Sequence, residues 1–282
     1  MRKKILILGS QGMLGQEIFK ILADYQPTGW DIKSGEIDIT NYLETEKKIK
    51  NFAPEIVINA TGYTAVDKAE EERELANKIN GEAVGYLAKI TADLDIPLIH
   101  FSTDYVFNGE KRDGYLEDDL PDPINAYGYS KLLGESLLQE NTGKFYLLRI
   151  SWLFGKYGKN FVKTIVQLAR EKPFLKVVND QIGLPTYTKD VAQRVRWFIE
   201  NQPEFGIYHT PNDGLPGSWY DFAKEILKIK NIEKEIYPCT SEEFPRPAKR
   251  PHYSILVNSK LEPLRDWRDA LRDYLTNDDI DL

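Results

Sequence analysis

A phenol and a primary amine stand four residues apart in Tyr127-Gly128-Tyr129-Ser130-Lys131, a spacing that puts both on one face of a helix. The pair suits ketone reduction, in which hydride goes to carbon and a proton goes to oxygen. A phenol with its pKa near ~10 is a poor acid–base group at neutral pH, and a lysine close by favours the ionised form. The same lysine can hold a nicotinamide ribose. The spacing occurs twice, however: Tyr220-Asp221-Phe222-Ala223-Lys224 repeats it and reads as an ordinary amphipathic helix face. Company separates the two. Ser102-Thr103-Asp104 precedes the first motif at the C-terminal end of a strand, where ligands bind in an open α/β sheet. A hydroxyl there is placed to hydrogen-bond a substrate carbonyl beside the tyrosine.

Such chemistry needs a hydride source, and the start of the chain carries a turn that would hold one. Gly9-Ser10-Gln11-Gly12-Met13-Leu14-Gly15 follows the first strand-like run and opens the first helical one. Its G-x-x-G-x-x-G spacing is one residue wider than the G-x-G-x-x-G dinucleotide fingerprint, with the same physics. Gly9 permits the tight turn, Gly12 lets backbone approach a pyrophosphate, and Gly15 allows close helix–strand packing. The helix N-terminus then supplies unpaired N–H groups. Asp31 lies sixteen residues after Gly15, where an acid accepts hydrogen bonds from the adenosine ribose and favours NAD. Lys33 would instead counter a 2′-phosphate, so the residues leave the choice between NADH and NADPH open.

The elements that must position these groups alternate in the first half. Lys4–Leu8, Glu55–Asn59, Pro97–Phe101 and Phe145–Ile150 are short apolar runs, as expected of parallel strands covered on both faces. Between them, 12–23, 42–51, 74–92 and 126–139 have helical periodicity. The alternation predicts a Rossmann-like, doubly wound α/β fold with right-handed crossovers over residues 1–150. Residues 151–282 read as mainly a smaller substrate-binding lobe, part of which, about 175–210, returns to the first sheet. Helical patterns fall there at 160–170, 189–200 and 218–228, with strands at Leu175–Val178 and Ile207–His209. The segment Pro238–Pro251 reads as a proline-rich connection, and the acidic end Asn277–Leu282 as frayed.

Composition mostly excludes. Of 282 residues 41% are hydrophobic, enough for a sizeable core, and the net charge of −7 lacks the clustered cations of a nucleic-acid or membrane binder. One cysteine, Cys239, forms no internal disulfide and suits a reducing compartment. Met1–Leu8 is a strand-like run without a cleavage site, and no stretch reaches the ~20 apolar residues of a membrane helix. A cytoplasmic protein is expected. His100, His209 and His252 show no metal-ligand spacing and read as structural.

Longer strings add a resemblance. The segment from Asn59 to Glu70 (NATGYTAVDKAE), Ser102 to Phe107 (STDYVF), Ser151-Trp152, Asn160-Phe161, Asn179-Asp180-Gln181 with Gly183 and Pro185-Thr186, and Arg250-Pro251 with Ser254 and Leu256 carry it. The chain resembles the dTDP-4-dehydrorhamnose reductase family of the extended short-chain dehydrogenase/reductase superfamily from about residue 4 to 265. The resemblance implies NAD(P)H-dependent reduction of the C4 ketone of dTDP-4-dehydro-L-rhamnose, within nucleotide-sugar and cell-surface polysaccharide synthesis. Tyr127 would donate the proton, Lys131 support it, and Thr103 align the carbonyl. Gly12, Met13 and Leu14 would line the pyrophosphate, and Asp31, Asp38, Ile39, Gly62, Tyr63, Thr64 and Phe101 the rest of the dinucleotide. Thr103, Asp104 and Trp152 would contact the activated sugar. Arg250 would bind the nucleotide diphosphate, or lie in a surface connection. Some family members form a homodimer through magnesium held by glutamates. Glu17 matches one such position, but Lys189 stands where another acid is expected and opposes a divalent metal. Other 4-ketosugar reductases, epimerases, or a non-catalytic regulatory subunit share the fold and are the alternatives.

Overall fold

The computed structural model describes residues 3–277. The first half runs β1 (Ile5–Leu8), α1 (Met13–Ile21), β2 (Thr28–Trp30), α2 (Tyr42–Phe52), β3 (Ile56–Asn59), α3 (Arg73–Asn77), α4 (Ala83–Asp93), β4 (Leu98–Thr103), α5 (Ala126–Asn141) and β5 (Phe145–Ile150). The second half adds β6 (Leu153–Phe154), α6 (Phe161–Glu171), β7 (Leu175–Val178), β8 (Ile182–Gly183), β9 (Thr186–Tyr187), α7 (Thr188–Asn201), β10 (Gly206–His209), β11 (Gly217–Ser218), α8 (Trp219–Ile229), β12 (Ile236–Cys239) and α9 (Trp267–Asn277). Six strands form one parallel sheet in the order β10-β5-β4-β3-β1-β2.

Side chains alternate across a strand, so an unbroken apolar strand needs cover on both faces. In β1, Ile5 and Ile7 join a core with α1 and α7, while Leu6 and Leu8 join one with α2 and α4. A third core, built on Phe154, Tyr187, Phe222 and Trp267, belongs to the second half.

Three expectations shift. The helix expected over 74–92 is two helices joined by a π-helical turn at Lys78–Glu82, the kind of distortion that collects near functional sites. Of the segment 175–210, β10 and α7 join the large sheet, but Leu175–Val178 does not. It pairs with Ile236–Cys239, which runs into the start of the segment expected to be a connection, in a separate two-stranded sheet. Its alternating burial, against continuous burial in β1, is the mark of a strand covered on one face. The acidic end beyond residue 277 lies outside the described residues. No helix among those described is long and apolar enough to cross a membrane.

Candidate active site

One cleft of about 780 Å³ runs along the C-terminal ends of the parallel strands. Its floor is the turn after β1. Gly9 takes φ +75°, and a Cβ there would stand 2.8 Å from the backbone of Ala60 and Thr61. A Cβ on Gly15 would lie 2.1 Å from the Gly9 carbonyl oxygen, so α1 docks on the turn only through glycine. Helix α1 has neither a side-chain cap nor an acidic residue in its first turn. Its first N–H groups are therefore left for an anion, and Gly12, Met13 and Leu14 line the cleft beside them. This cradle fits a dinucleotide pyrophosphate. Gly15 packs behind the turn rather than lining it.

Asp31, Asp38, Ile39, Gly62, Tyr63, Thr64 and Phe101 all line the same cleft, as does Lys33. Asp31 has a structural duty as well. Its Oδ2 accepts from the Gln11 N–H at 3.0 Å and its Oδ1 from the Lys33 N–H at 2.9 Å, tying the phosphate turn to the following loop. The 62–64 loop is held by Asn80, which the sequence reading did not single out. Standing on the π turn, Asn80 accepts from the Tyr63 N–H at 2.8 Å and donates to the Tyr63 carbonyl and to Ser130 Oγ, both at 2.9 Å.

The opposite wall is α5. Asn125 caps it by accepting from the Gly128 N–H at 2.8 Å, and a Cβ on Gly128 would lie 2.1 Å from the Tyr105 carbonyl oxygen. That close approach sets Tyr127 beside Thr103, and both line the cleft. Thr103 Oγ1 in turn donates to Asp104 Oδ1 at 2.9 Å. Burial pushes the Tyr127 phenol up to about 12, the Thr103 contact opposing and the Asp104 charge assisting. Burial likewise raises Asp104 to about 7, and its Oδ2 has no hydrogen-bond partner. Lys131 Nζ donates to the Phe101 carbonyl at 2.6 Å and lies 3.3 Å from His100 Nε2; burial brings it down to about 8, and Glu135 opposes. A phenol that retains its proton is the state a general acid must start from.

Trp152 lines the cleft with φ +45° and stacks on Trp219, ring centroids 3.6 Å apart. Gly183 makes the room, since a Cβ there would meet the Trp152 ring at 2.6 Å. A left-handed tryptophan is costly and persists only where its surroundings hold it, as at ligand sites. Arg250, like Gly15, stands outside the cleft lining. Its guanidinium pairs with Asp67 and donates to the Ala248 carbonyl, so its charge is met inside the protein. Lys189 bonds Asp273 at 3.2 Å, and no cluster of three or more potential metal ligands occurs among the described residues.

Comparison with known proteins identifies the family. Residues 2–280 match the family model described as RmlD substrate binding domain. The spore coat polysaccharide biosynthesis protein SpsK of Bacillus subtilis is 40% identical, with 96% of each chain covered. A dTDP-4-dehydrorhamnose reductase of Aggregatibacter actinomycetemcomitans is 38% identical over 95% of this chain and 97% of its own. A crystal structure of the Bacillus anthracis dTDP-4-dehydrorhamnose reductase in complex with NADP superposes with TM-score 0.94 at 36% identity, covering 98% of this chain and 99% of that one. The chain therefore belongs to the dTDP-4-dehydrorhamnose reductase family.

Proposed function

We propose that the protein reduces the C4 ketone of dTDP-4-dehydro-L-rhamnose to dTDP-L-rhamnose with NADPH or NADH. The observation that carries it is the convergence of Thr103, a protonated Tyr127 and Lys131 on the cleft whose floor is the glycine turn. When bound, the dihydronicotinamide supplies the hydride. Gly9, Gly12, Met13 and Leu14 receive the pyrophosphate; Asp31, Asp38, Ile39, Gly62, Tyr63, Thr64 and Phe101 enclose the remainder. Thr103 Oγ1 hydrogen-bonds the sugar carbonyl and orients it. Tyr127 gives its hydroxyl proton to the C4 oxygen as the carbon is reduced, and Lys131 holds the ribose and steadies the phenolate that remains. Asp104 and Trp152 contact the sugar. Arg250 braces Asp67 and takes no direct part. The protein acts in the cytoplasm, and with Lys189 where an acid would be needed it requires no magnesium.

A second reading has its own support, because the 40%-identical Bacillus relative is named for spore coat polysaccharide rather than for rhamnose. In that reading the same residues reduce a different nucleotide-4-ketosugar. NAD(P)H oxidation against dTDP-, UDP- and GDP-4-ketosugars separates the two. Turnover is expected to be fastest with dTDP-4-dehydro-L-rhamnose. Preference for another sugar selects the second reading, and no turnover with any member of the panel removes both.

A further inference from the structure

Behind Trp152, at the wall of the cleft, stands a second ring to which the reaction above gives no work. Trp219, the first residue of α8, lies parallel to the Trp152 indole, with an interplanar angle of 6° and ring centroids 3.6 Å apart. Trp152 lines the cleft and Trp219 does not. Aromatic pairs prefer offset or edge-to-face geometry, with centroids about 4.5–7 Å apart, over a near-eclipsed sandwich. Two rings this closely superposed are therefore set by their surroundings. Trp152 also carries φ +45°, a second arrangement that a tryptophan does not adopt unaided.

One short strand sets both rings. β8 pairs antiparallel with β11, Gly183 opposite Gly217 and Ile182 opposite Ser218, and Trp219 follows Ser218 directly. Gly183 leaves the space that the Trp152 ring occupies. Gln181, the residue before β8, fixes the edge of Trp219. An indole N–H can only donate, and Gln181 Oε1 accepts from it at 3.2 Å. The amide NH2 is thereby turned to Ser241 Oγ at 2.9 Å, and the Ser241 hydroxyl and backbone N–H both donate to the Asp180 carboxylate, at 2.7 and 2.9 Å. Every donor in this chain meets an acceptor. Phe161 packs on Trp219 as well, centroids 4.6 Å apart, and the Ser218–Asp221 capping box fixes the start of α8.

We propose that Trp219 is a positioning residue: anchored by Gln181, it acts through Trp152 and holds that indole fixed as the wall against which the activated sugar is placed. A loose Trp152 would lose side-chain freedom each time the sugar bound, and a ring already held does not add that cost. The effect belongs to the sugar rather than to the cofactor. The turn and loops read above as the dinucleotide site, from Gly9 to Phe101, lie in the first half of the chain, whereas both rings and their anchors come from residue 151 onward. The role of Trp152 at the sugar rests on the function proposed above; the hold that Trp219 has on it does not.

The hold is read on the protein with no substrate, by 15N relaxation of the indole N–H groups, assigned through single tryptophan-to-phenylalanine variants. The Trp152 indole is expected to be as rigid as folded backbone in the wild type, S² about 0.85, and to fall below about 0.6 in Trp219→Leu and in Trp219→Met, which keeps bulk without a flat face. A wild-type Trp152 indole that is already flexible, or one that stays rigid in a folded variant, overturns the proposal. If neither variant folds, the wild-type value decides alone. The consequence is read in kinetics. In both variants the KM for the ketosugar is expected to rise about tenfold, with kcat and the KM for NADPH little changed, and Trp219→Phe, which restores a flat ring, should return it towards wild type. A ketosugar KM that stays in place, or that rises together with the cofactor's, overturns the proposal. A wild-type protein that reduces none of the ketosugars, with Trp152 rigid and released by Trp219→Leu, would instead sink the functional reading and leave the hold standing.

Discussion

Helices α5 and α8 carry the same tyrosine-to-lysine spacing, Tyr127–Lys131 in one and Tyr220–Lys224 in the other, in opposite surroundings. In α8 the motif satisfies itself. Lys224 forms an ion pair with Asp221 at 3.0 Å and lies 4.5 Å from the centre of the Tyr220 ring, and Asp221 closes a capping box with Ser218. In α5 the residue after the tyrosine is Gly128, pressed so close to the Tyr105 carbonyl that no side chain fits. Lys131 is only 5% exposed, and its bonds go to β4 rather than along its own helix. A spacing becomes a site when a neighbouring strand end removes water from it and supplies the partners.

The sharpest break of this comparison removes one oxygen from each helix. Tyr127→Phe is expected to lower kcat by roughly 10²–10⁴ with cofactor binding nearly intact. Tyr220→Phe should leave kcat unchanged and cost no more than about 1–3 kcal/mol of stability. Equal losses of activity in the two variants would show that the spacing alone had misled us.

The lysines should differ in sign. An exposed lysine titrates at 10.5 and Lys131 at about 8, so below pH 8 folding must bury an ammonium that stays charged in both states, at a cost in desolvation. Above pH 10.5 that cost is gone. Lys131→Met is therefore expected to stabilise the fold at pH 7, by up to about 3 kcal/mol at ~1.4 kcal/mol per unit, less the lost hydrogen bonds. The gain should fade as pH rises from 8 to 10.5, and activity should be lost throughout. Lys224→Met removes a partly exposed ion pair and should destabilise by less than about 1 kcal/mol. Urea melts across pH measure both; a Lys131→Met protein less stable at pH 7 than at pH 10 relative to wild type contradicts the burial account.

Backbone fit gives the next effect. Gly128→Ala forces α5 off the Tyr105 turn and should cost about 1–3 kcal/mol along with most of the activity. Asp221→Ala, at the equivalent position of α8, loses a cap partner worth about 1 kcal/mol and should retain wild-type turnover. An active, stable Gly128→Ala enzyme would mean that α5 is not held by that contact.

The smallest effect is expected at the far end of the cleft. Because both Asp31 oxygens already accept from backbone N–H groups, and Lys33 stands beside them, NADH and NADPH should both support turnover. A kcat/KM preference above about a thousandfold, ~4 kcal/mol, would show that Asp31 discriminates after all.

The residues by themselves determined a good deal. Continuous apolar runs required strands covered on both faces, the glycine spacing required a turn that backbone can approach, and the alternation required a parallel sheet. All of these are dictated by neighbours within a few positions, which is why they were legible. Other features were not. Leu175–Val178 has no local signal saying that its partner is Ile236–Cys239, and the π turn that sets Asn80 against Tyr63 and Ser130 hides in an ordinary helical pattern. Arg250 carried the charge expected of a phosphate ligand, yet its neutralising partner Asp67 is 183 positions away. His100 read as a structural histidine, and only β3–β4 pairing and the approach of α5 put Asn59 on one side of its ring and Lys131 on the other. A hydrogen bond or a lost hydration shell depends on which atoms come within about 3 Å, and for partners 31 or 41 residues apart that is decided by the packing of whole elements.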